Sequence, residues 1–370
     1  MPAIFEAFGY PLADNSKEAD DNRKRAFCPF MNSLCDGGGN RYSSQVELKP
    51  GHPLSPLFKG IGDLPAGVCS IQLADGENPW IVCPRRLLAL AREDLGVRKW
   101  QKKAQDDTLA ILGYKKGTRL GIWPEVKMKY SETDEQTQQR HSFDYTFDYV
   151  VAPVGRVRLQ SIIDELDCTQ KEIERTLRSA QYTLAQREGE LWVEDFPYAS
   201  ASLIEIMTSS TSGGNKRKRT TVAMAFEDAM LGKEHQAPGI NYRQVWARMV
   251  SQLIVKSEVA LAWGGTTIWV VQDVLADYIR ESTALDLNKF LAKTKDEVNM
   301  LSFSYGEQFK RPKGILDLTE SKLYAGRISS ATEDDAPSFS DMIRTPLKPD
   351  VWRLFELLAR RRPDNFAVAP

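Results

Sequence analysis

Leu203-Ile204-Glu205-Ile206-Met207-Thr208 is a run of β-forming residues with one carboxylate set into it. An acid in a buried strand is costly without a cation or a hydrogen-bond partner. Behind it come Ser209-Ser210-Thr211-Ser212-Gly213-Gly214-Asn215, the basic cluster Lys216-Arg217-Lys218-Arg219, and the start of an amphipathic helix. A carboxylate, a cation and a place for an anion together point to metal-assisted phosphodiester chemistry. The plain alternative is a strand Glu paired with a Lys or Arg.

Moving upstream, His141-Ser142-Phe143-Asp144-Tyr145-Thr146-Phe147-Asp148-Tyr149-Val150-Val151 reads as an aromatic, β-branched strand. Asp144 shares a face with Ser142, Thr146 and Asp148, so that face is either a cation site or the solvent side of an antiparallel strand. Before it, Pro124-Glu125-Val126-Lys127-Met128-Lys129-Tyr130 alternates with period two. Between Val151 and Leu203 lies a helical pair, with Thr169 to Glu172 forming a capping-box pattern. It fits a helix-turn-helix or a simple packed hairpin, and Cys168 in its turn reads as structural.

Downstream, a helix is expected from Thr220 to Leu231 and a long one from Arg243 to about Leu261, ended by Gly264-Gly265. On the long helix Gln244, Arg248, Gln252 and Lys256 recur four apart as one polar stripe. Its other side carries Val245, Trp246, Met249, Leu253 and Ile254. Thr266 to Val271 reads as a buried strand, then a helix from Val274, a short helix near Leu287–Leu291 and a strand over Glu297–Phe303. Residues 329–370 read as an acidic linker and, from Asp350 to Arg362, a basic amphipathic helix.

The first hundred residues have a different character. Cys28, Cys35, Cys69 and Cys83 all fall there, spaced C-x6-C-x33-C-x13-C and set beside Gly and Pro. Four thiolates around one cation make the tetrahedral sulfur site of structural zinc or of a single iron. The alternative is four buried, unlinked thiols. Residues 1–100 thus form a metal-stapled module and residues 101–328 a core with a helical insertion at about 157–188.

The totals set bounds. A chain of 370 residues can bury more than one core. Its net charge of -1 excludes a polycation, so contact with nucleic acid must come from local basic patches such as Lys216 to Arg219. No run approaches the roughly 20 apolar residues of a membrane helix, and Met1 to Phe8 lacks the form of a secretory leader. The expectation is a cytoplasmic protein with no membrane partner and no structural disulfides.

The combination resembles a known family. Cys-Pro-Phe, a second Cys, Gly-Val-Cys and Trp-Ile-Val-Cys-Pro-x-Arg resemble the N-terminal metal module of the NotI-type restriction endonucleases. Ser142-Phe143-Asp144-Tyr145-Thr146 and Leu203-Ile204-Glu205-Ile206-x-Thr208 resemble its two catalytic strands. The resemblance covers roughly residues 5–90, 120–150 and 200–280. It implies an α/β fold of the PD-(D/E)xK type, with a mixed central sheet flanked by helices, and a homodimer that cuts double-stranded DNA using Mg²⁺. It gives Cys28, Cys35, Cys69 and Cys83 as ligands of a single iron, Asp144 and Glu205 as ligands of Mg²⁺, and Glu125 as an upstream acid. Lys216, Arg217, Lys218, Arg219, Arg248, Gln252 and Lys256 are the expected DNA contacts. The rival is a metal-stapled DNA-binding regulator that does not cleave.

Two departures stand out. Met207 occupies the position where the family carries Gln, and Met cannot orient a water or stabilise charge on phosphorus. Lys127, Lys129, Lys216 or Gln252 would then have to act instead. The two acidic strands also lie further apart in sequence than the family pattern, which the insertion explains.

Overall fold

A computed structural model describes residues 1–38, 44–90, 101–133, 140–166, 168–318, 320–329 and 338–344. The expected C-terminal basic helix and residues 330–337 of the linker lie outside them.

The first ninety residues build a four-stranded sheet and two small two-stranded pairs. Strands β1 (Ala3–Ala7), β2 (Tyr10–Pro11), β7 (Val68–Gln72) and β8 (Trp80–Ile81) pair in the order β2-β1-β7-β8. Between them come helix α1 (Lys17–Lys24), the pair β3 (Phe27–Cys28) and β4 (Ser33–Leu34), and the pair β5 (Gln45–Glu47) and β6 (Asp63–Pro65). Pro84 opens a single turn of helix, α2 (Pro84–Leu87).

An eight-stranded mixed sheet follows. It uses β9 (Leu120–Thr133), β10 (Arg140–Arg158), β11 (Leu184–Arg187), β12 (Glu190–Pro197), β13 (Ser202–Ile206), β16 (Thr267–Gln272), β17 (Val298–Ser304) and β18 (Glu320–Gly326). The order is β11-β12-β10-β13-β16-β17-β18, with β9 alongside β10. The centre, β13-β16-β17, is parallel, and β10 and β18 flank it antiparallel. A small pair, β14 (Thr211–Ser212) and β15 (Gly239–Ile240), lies apart.

Strict alternation on β16 explains the layering. Ile268 and Val270 face one core with Leu87, Leu88, Ile204, Ile206 and Leu301, joined by Ala104 of α3 (Lys102–Ile111). Trp269 and Val271 face the other, with Met249 and Leu253 of α7 (Tyr242–Ala262) and Leu275 and Ile279 of α8 (Asp273–Ser282). A strand buried on both faces in this way is what a parallel centre requires. The long helix ends where expected: Gly264 at φ +71 and Gly265, whose place no side chain could share, since a Cβ would meet the Ala201 carbonyl oxygen at 1.8 Å.

The insertion is a packed unit of its own. Helices α4 (Leu159–Leu166) and α5 (Gln170–Ser179) close a small core of Leu159, Ile162, Ile173, Leu177 and Val193 against β12. The capping box is present, with Thr169 Oγ1 accepting from the Glu172 N–H and the Glu172 carboxylate accepting from the Thr169 N–H. Partly buried Cys168 packs against the same core.

The opening module does not keep a separate core. Val222, Ala225 and Phe226 of α6 (Val222–Met230), with Ala237 and Ile240, complete the cluster around Phe8, Phe58 and Val68. A buried ion pair also ties the halves: Arg86 grips Glu6 with Nε and Nη2 at 3.0 and 3.1 Å, donates to the Leu316 carbonyl at 2.8 Å, and lies over the rings of Phe30 and Tyr305. The Tyr305 hydroxyl and Ser70 donate to the same carboxylate. A boundary near residue 100 therefore separates sequence segments that share packing.

Candidate functional site

Strands β10 and β13 pair over only three positions, Tyr149–Ile204, Val150–Leu203 and Val151–Ser202. One step further the ladder is carried by side chains. The Asp148 N–H donates to Glu205 Oε1 at 3.3 Å, and the Ile206 N–H donates to Asp148 Oδ2 at 2.8 Å. Two acids on neighbouring strands thus meet where the strands part. Both are buried, Glu205 at 1% and Asp148 at 4% exposure.

The third member comes from the long helix. Lys256 Nζ lies 2.6 Å from Glu205 Oε2 and 2.8 Å from the Thr146 carbonyl oxygen, above the Phe147 ring. It is 2% exposed. The supposed polar stripe fails for a geometric reason. Steps of four residues advance about 400° at 3.6 residues per turn, so three steps drift about 120° around the helix. Gln244 and Arg248 are exposed, Gln252 is half-buried, and Lys256 is rolled under against the sheet. Ile254, expected on the apolar side, is 37% exposed.

Asp144 is not at this site. It is exposed and paired with Lys129 at 3.0 Å across the β9–β10 ribbon. Register sets it four residues beyond Asp148, roughly 13 Å along a strand, which is too far to share an ion with Glu205. Glu125 lies on β9, where the register of β9 with β10 brings it level with Asp148. Its backbone is left-handed at φ +51, and its half-exposed side chain lies 4.0 Å from Arg85. Met207 is buried in the core with Val245, Met249 and Leu253. Of Lys127, Lys129, Lys216 and Gln252, Lys129 is paired with Asp144; the ammonium on Glu205 is that of Lys256.

The basic cluster sits in a turn before α6. Lys216, Arg217 and Lys218 are exposed. Arg219 is instead committed to α6, with Nε 2.7 Å from Asp228 and Nη2 3.0 Å from Glu227.

Residues Ile206 to Thr211, Val245 and Arg248 line a cavity of about 220 Å³ directly beyond Glu205, with Val82 and Pro84 in its wall. The opening module therefore contributes to the surroundings of the buried acids.

The four early cysteines line one small pocket, and none of them is in a disulfide. Backbone amides point at three of the sulfurs: Gly9 N–H to Cys69 Sγ at 3.3 Å, Gly37 N–H to Cys35 Sγ at 3.4 Å, and the N–H groups of Arg86 and Arg85 to Cys83. Gly9 is required there, because φ is +83 and a Cβ would lie 2.4 Å from the Pro29 ring. Burial, then the neighbouring Cys28, pushes Cys83 up to about 12; burial and Cys83 hold Cys69 well above the ordinary thiol value. Burial followed by Cys28 and Cys83 raises Cys35 as well. Among the described residues no group of three or more His, Cys, Asp or Glu side chains is arranged to hold a metal ion. The donor chemistry, four sulfurs with amide donors, nevertheless suits a thiophilic cation.

Among the described residues no helix is long and apolar enough to cross a membrane. Comparison with known families found no matching family model, and comparison with curated proteins found no match.

Proposed function

We propose that this protein is a type II restriction endonuclease, a Mg²⁺-dependent hydrolase of phosphodiester bonds in double-stranded DNA, with a PD-(D/E)xK-type core acting as a homodimer. The observation that carries the reading is the meeting of Asp148 and Glu205 at the split between β10 and β13, with the Lys256 ammonium on Glu205.

Carboxylate oxygens suit a hard divalent cation, so Asp148 and Glu205 would hold Mg²⁺. Such an ion would lower the pKa of a bound water and neutralise the phosphate under attack. Lys256 supplies what Met207 cannot: a positive charge fixed beside the acid, able to orient a nucleophile and stabilise charge on phosphorus. Its position on a helix rather than two residues beyond Glu205 answers the departure from the family pattern. Exposed Lys216, Arg217 and Lys218 would meet the DNA backbone. Cys28, Cys35, Cys69 and Cys83 would hold the structural iron or zinc.

The burial of all three charged groups favours one second reading, a DNA-binding protein in which the triad is structural and nothing is cut. A plasmid-nicking assay with Mg²⁺ and with chelator separates the two. Cutting that is lost in Asp148→Ala and kept in Asp144→Ala supports the enzyme and this site. Duplex binding without cutting, across many sequences, refutes it.

A further inference from the structure

The loop after Glu205 carries four consecutive hydroxyl residues, Thr208, Ser209, Ser210 and Thr211, along one wall of the 220 Å³ cavity. Arg248, exposed on the second turn of α7, stands at the same cavity. Among the described residues Arg248 makes no ion pair. None of the four hydroxyls makes a side-chain hydrogen bond there, and Ser210 Oγ is fully buried without a partner. Leaving a buried hydroxyl unpaired costs about 1–3 kcal/mol, so a rotation about χ1 that turns Ser210 Oγ toward an acceptor seated in the adjoining cavity is favoured.

The loop cannot close over this gap by itself. Its backbone is already held from two sides, by the Ser209 N–H to the Ile81 carbonyl at 3.0 Å and by the Asn241 N–H to the Ser210 carbonyl at 2.8 Å. The first bond comes from the opening module and the second from the N-cap of α7. The loop that carries the hydroxyls is thus fixed beside an open space with room for a tetrahedral anion, and Arg248 stands at its edge. Hydroxyl donors and a single positive charge call for a ligand of acceptor oxygens and one negative charge, which describes a phosphodiester.

We infer that this cavity seats one backbone phosphate of the DNA duplex, adjacent to the one beside Glu205. This rests on the nuclease reading for the identity of the ligand. Arg248 neutralises the phosphate, and Ser210 with its neighbours donates hydrogen bonds to it. The seat sets the register of the strand against Asp148 and Glu205.

Binding of a fluorescently labelled duplex is measured by anisotropy in chelator over a range of salt, with wild type, Arg248→Ala, Arg248→Lys and Ser210→Val. Arg248 is exposed, so its variants keep the fold, which circular dichroism checks. Arg248→Ala is expected to bind about tenfold more weakly and to lower the salt slope by about 0.9, the value of one phosphate contact. Arg248→Lys restores the slope, and Ser210→Val lowers affinity at unchanged slope. Affinity and slope equal to wild type in Arg248→Ala would overturn the seat, even with Mg²⁺-dependent cutting intact. Arg248-dependent binding with no cutting in Mg²⁺ would support the seat and remove the nuclease reading. Absence of duplex binding by the wild type would overturn both.

Discussion

Replacing Lys256 with Met tests whether the triad is an interacting unit. The substitution keeps the length and apolar stem of the side chain, so packing against the Phe147 ring survives. It removes an ammonium 2.6 Å from Glu205 and 2.8 Å from the Thr146 carbonyl. Both partners of the ion pair are almost fully buried, at 2% and 1% exposure, so solvent cannot take over the lost role. Removing one member of a buried pair costs about 3–5 kcal/mol, because the remaining charge stays buried without its counter-ion. Asp148 beside Glu205 adds a second acid and worsens that balance. Glu205→Gln in the same background removes the stranded charge. The double variant is therefore expected to be more stable than the sum of the two single losses by about 1.5–3 kcal/mol. Urea unfolding of the four proteins measures the cycle. A pH arm checks the cause. In Lys256→Met the buried acid has its pKa raised in the folded state, so folding takes up a proton and the stability deficit is smaller at pH 5 than at pH 8. Additivity within about 0.5 kcal/mol, or a deficit that does not change with pH, would refute the account. If the triad is catalytic, Lys256→Met also loses DNA cutting under conditions where it remains folded.

Three further outcomes follow from the same structure. Purified protein should carry about one iron or zinc per chain by elemental analysis, and Cys83→Ser should lose it together with thermal stability; a wild type without stoichiometric metal would remove the metal module. Arg86→Met should destabilise the fold by about 3–5 kcal/mol, since it strands Glu6 inside the protein, and Glu6→Gln should recover part of the loss in a melting experiment. Burial pushes Tyr10 up to about 12 from an ordinary 10.0, so the unfolded chain loses this proton first as pH rises. Stability from Tyr10 is complete below pH 10 and lost between pH 10 and 12, by at most about 2.7 kcal/mol at 1.36 per unit. Tyr10→Phe should flatten that part of the urea-unfolding profile, and an unchanged profile would reject the assignment.

The centre of the sheet was legible because Ile268-Trp269-Val270-Val271 is a continuous apolar run, as a strand covered on both faces requires, and α7 is bracketed by Asn241 and Gly264-Gly265. The capping box at Thr169 was equally plain. The acid on β10 was misplaced for a reason visible in the chain. Phe-Asp-Tyr occurs twice, at residues 143–145 and 147–149, four positions apart on one strand. Period-two reasoning puts both acids on the same face and cannot choose between them. What distinguishes them is the flank: Asp148 is followed by Tyr149-Val150-Val151, which continue into the buried ladder, while Asp144 is followed by Tyr145-Thr146 in the β9–β10 ribbon and is exposed. Motif likeness favoured the first copy, and burial selects the second. Pairing of strands separated by an insertion is a long-range property that no local pattern contains.

The inward turn of Lys256 follows from the helical period, which also explains how the triad arises. Counting every fourth residue groups it with Gln244 and Arg248, but a face must be followed at a spacing of three and four in alternation. Leu253, Lys256, Ser257 and Ala260 then define one buried side, and Lys256 is the charged residue on it. A lysine in such a position needs a buried acid opposite, which makes Glu205 its natural partner and Met207 expendable as a charged group. The same rotation that turns Lys256 inward leaves Arg248, two turns earlier, facing the cavity beyond Glu205. One helix thereby places a buried cation on the acid pair and an exposed one beside it. That division is what a phosphodiester would require: one fixed charge at the reacting group and one on its neighbour.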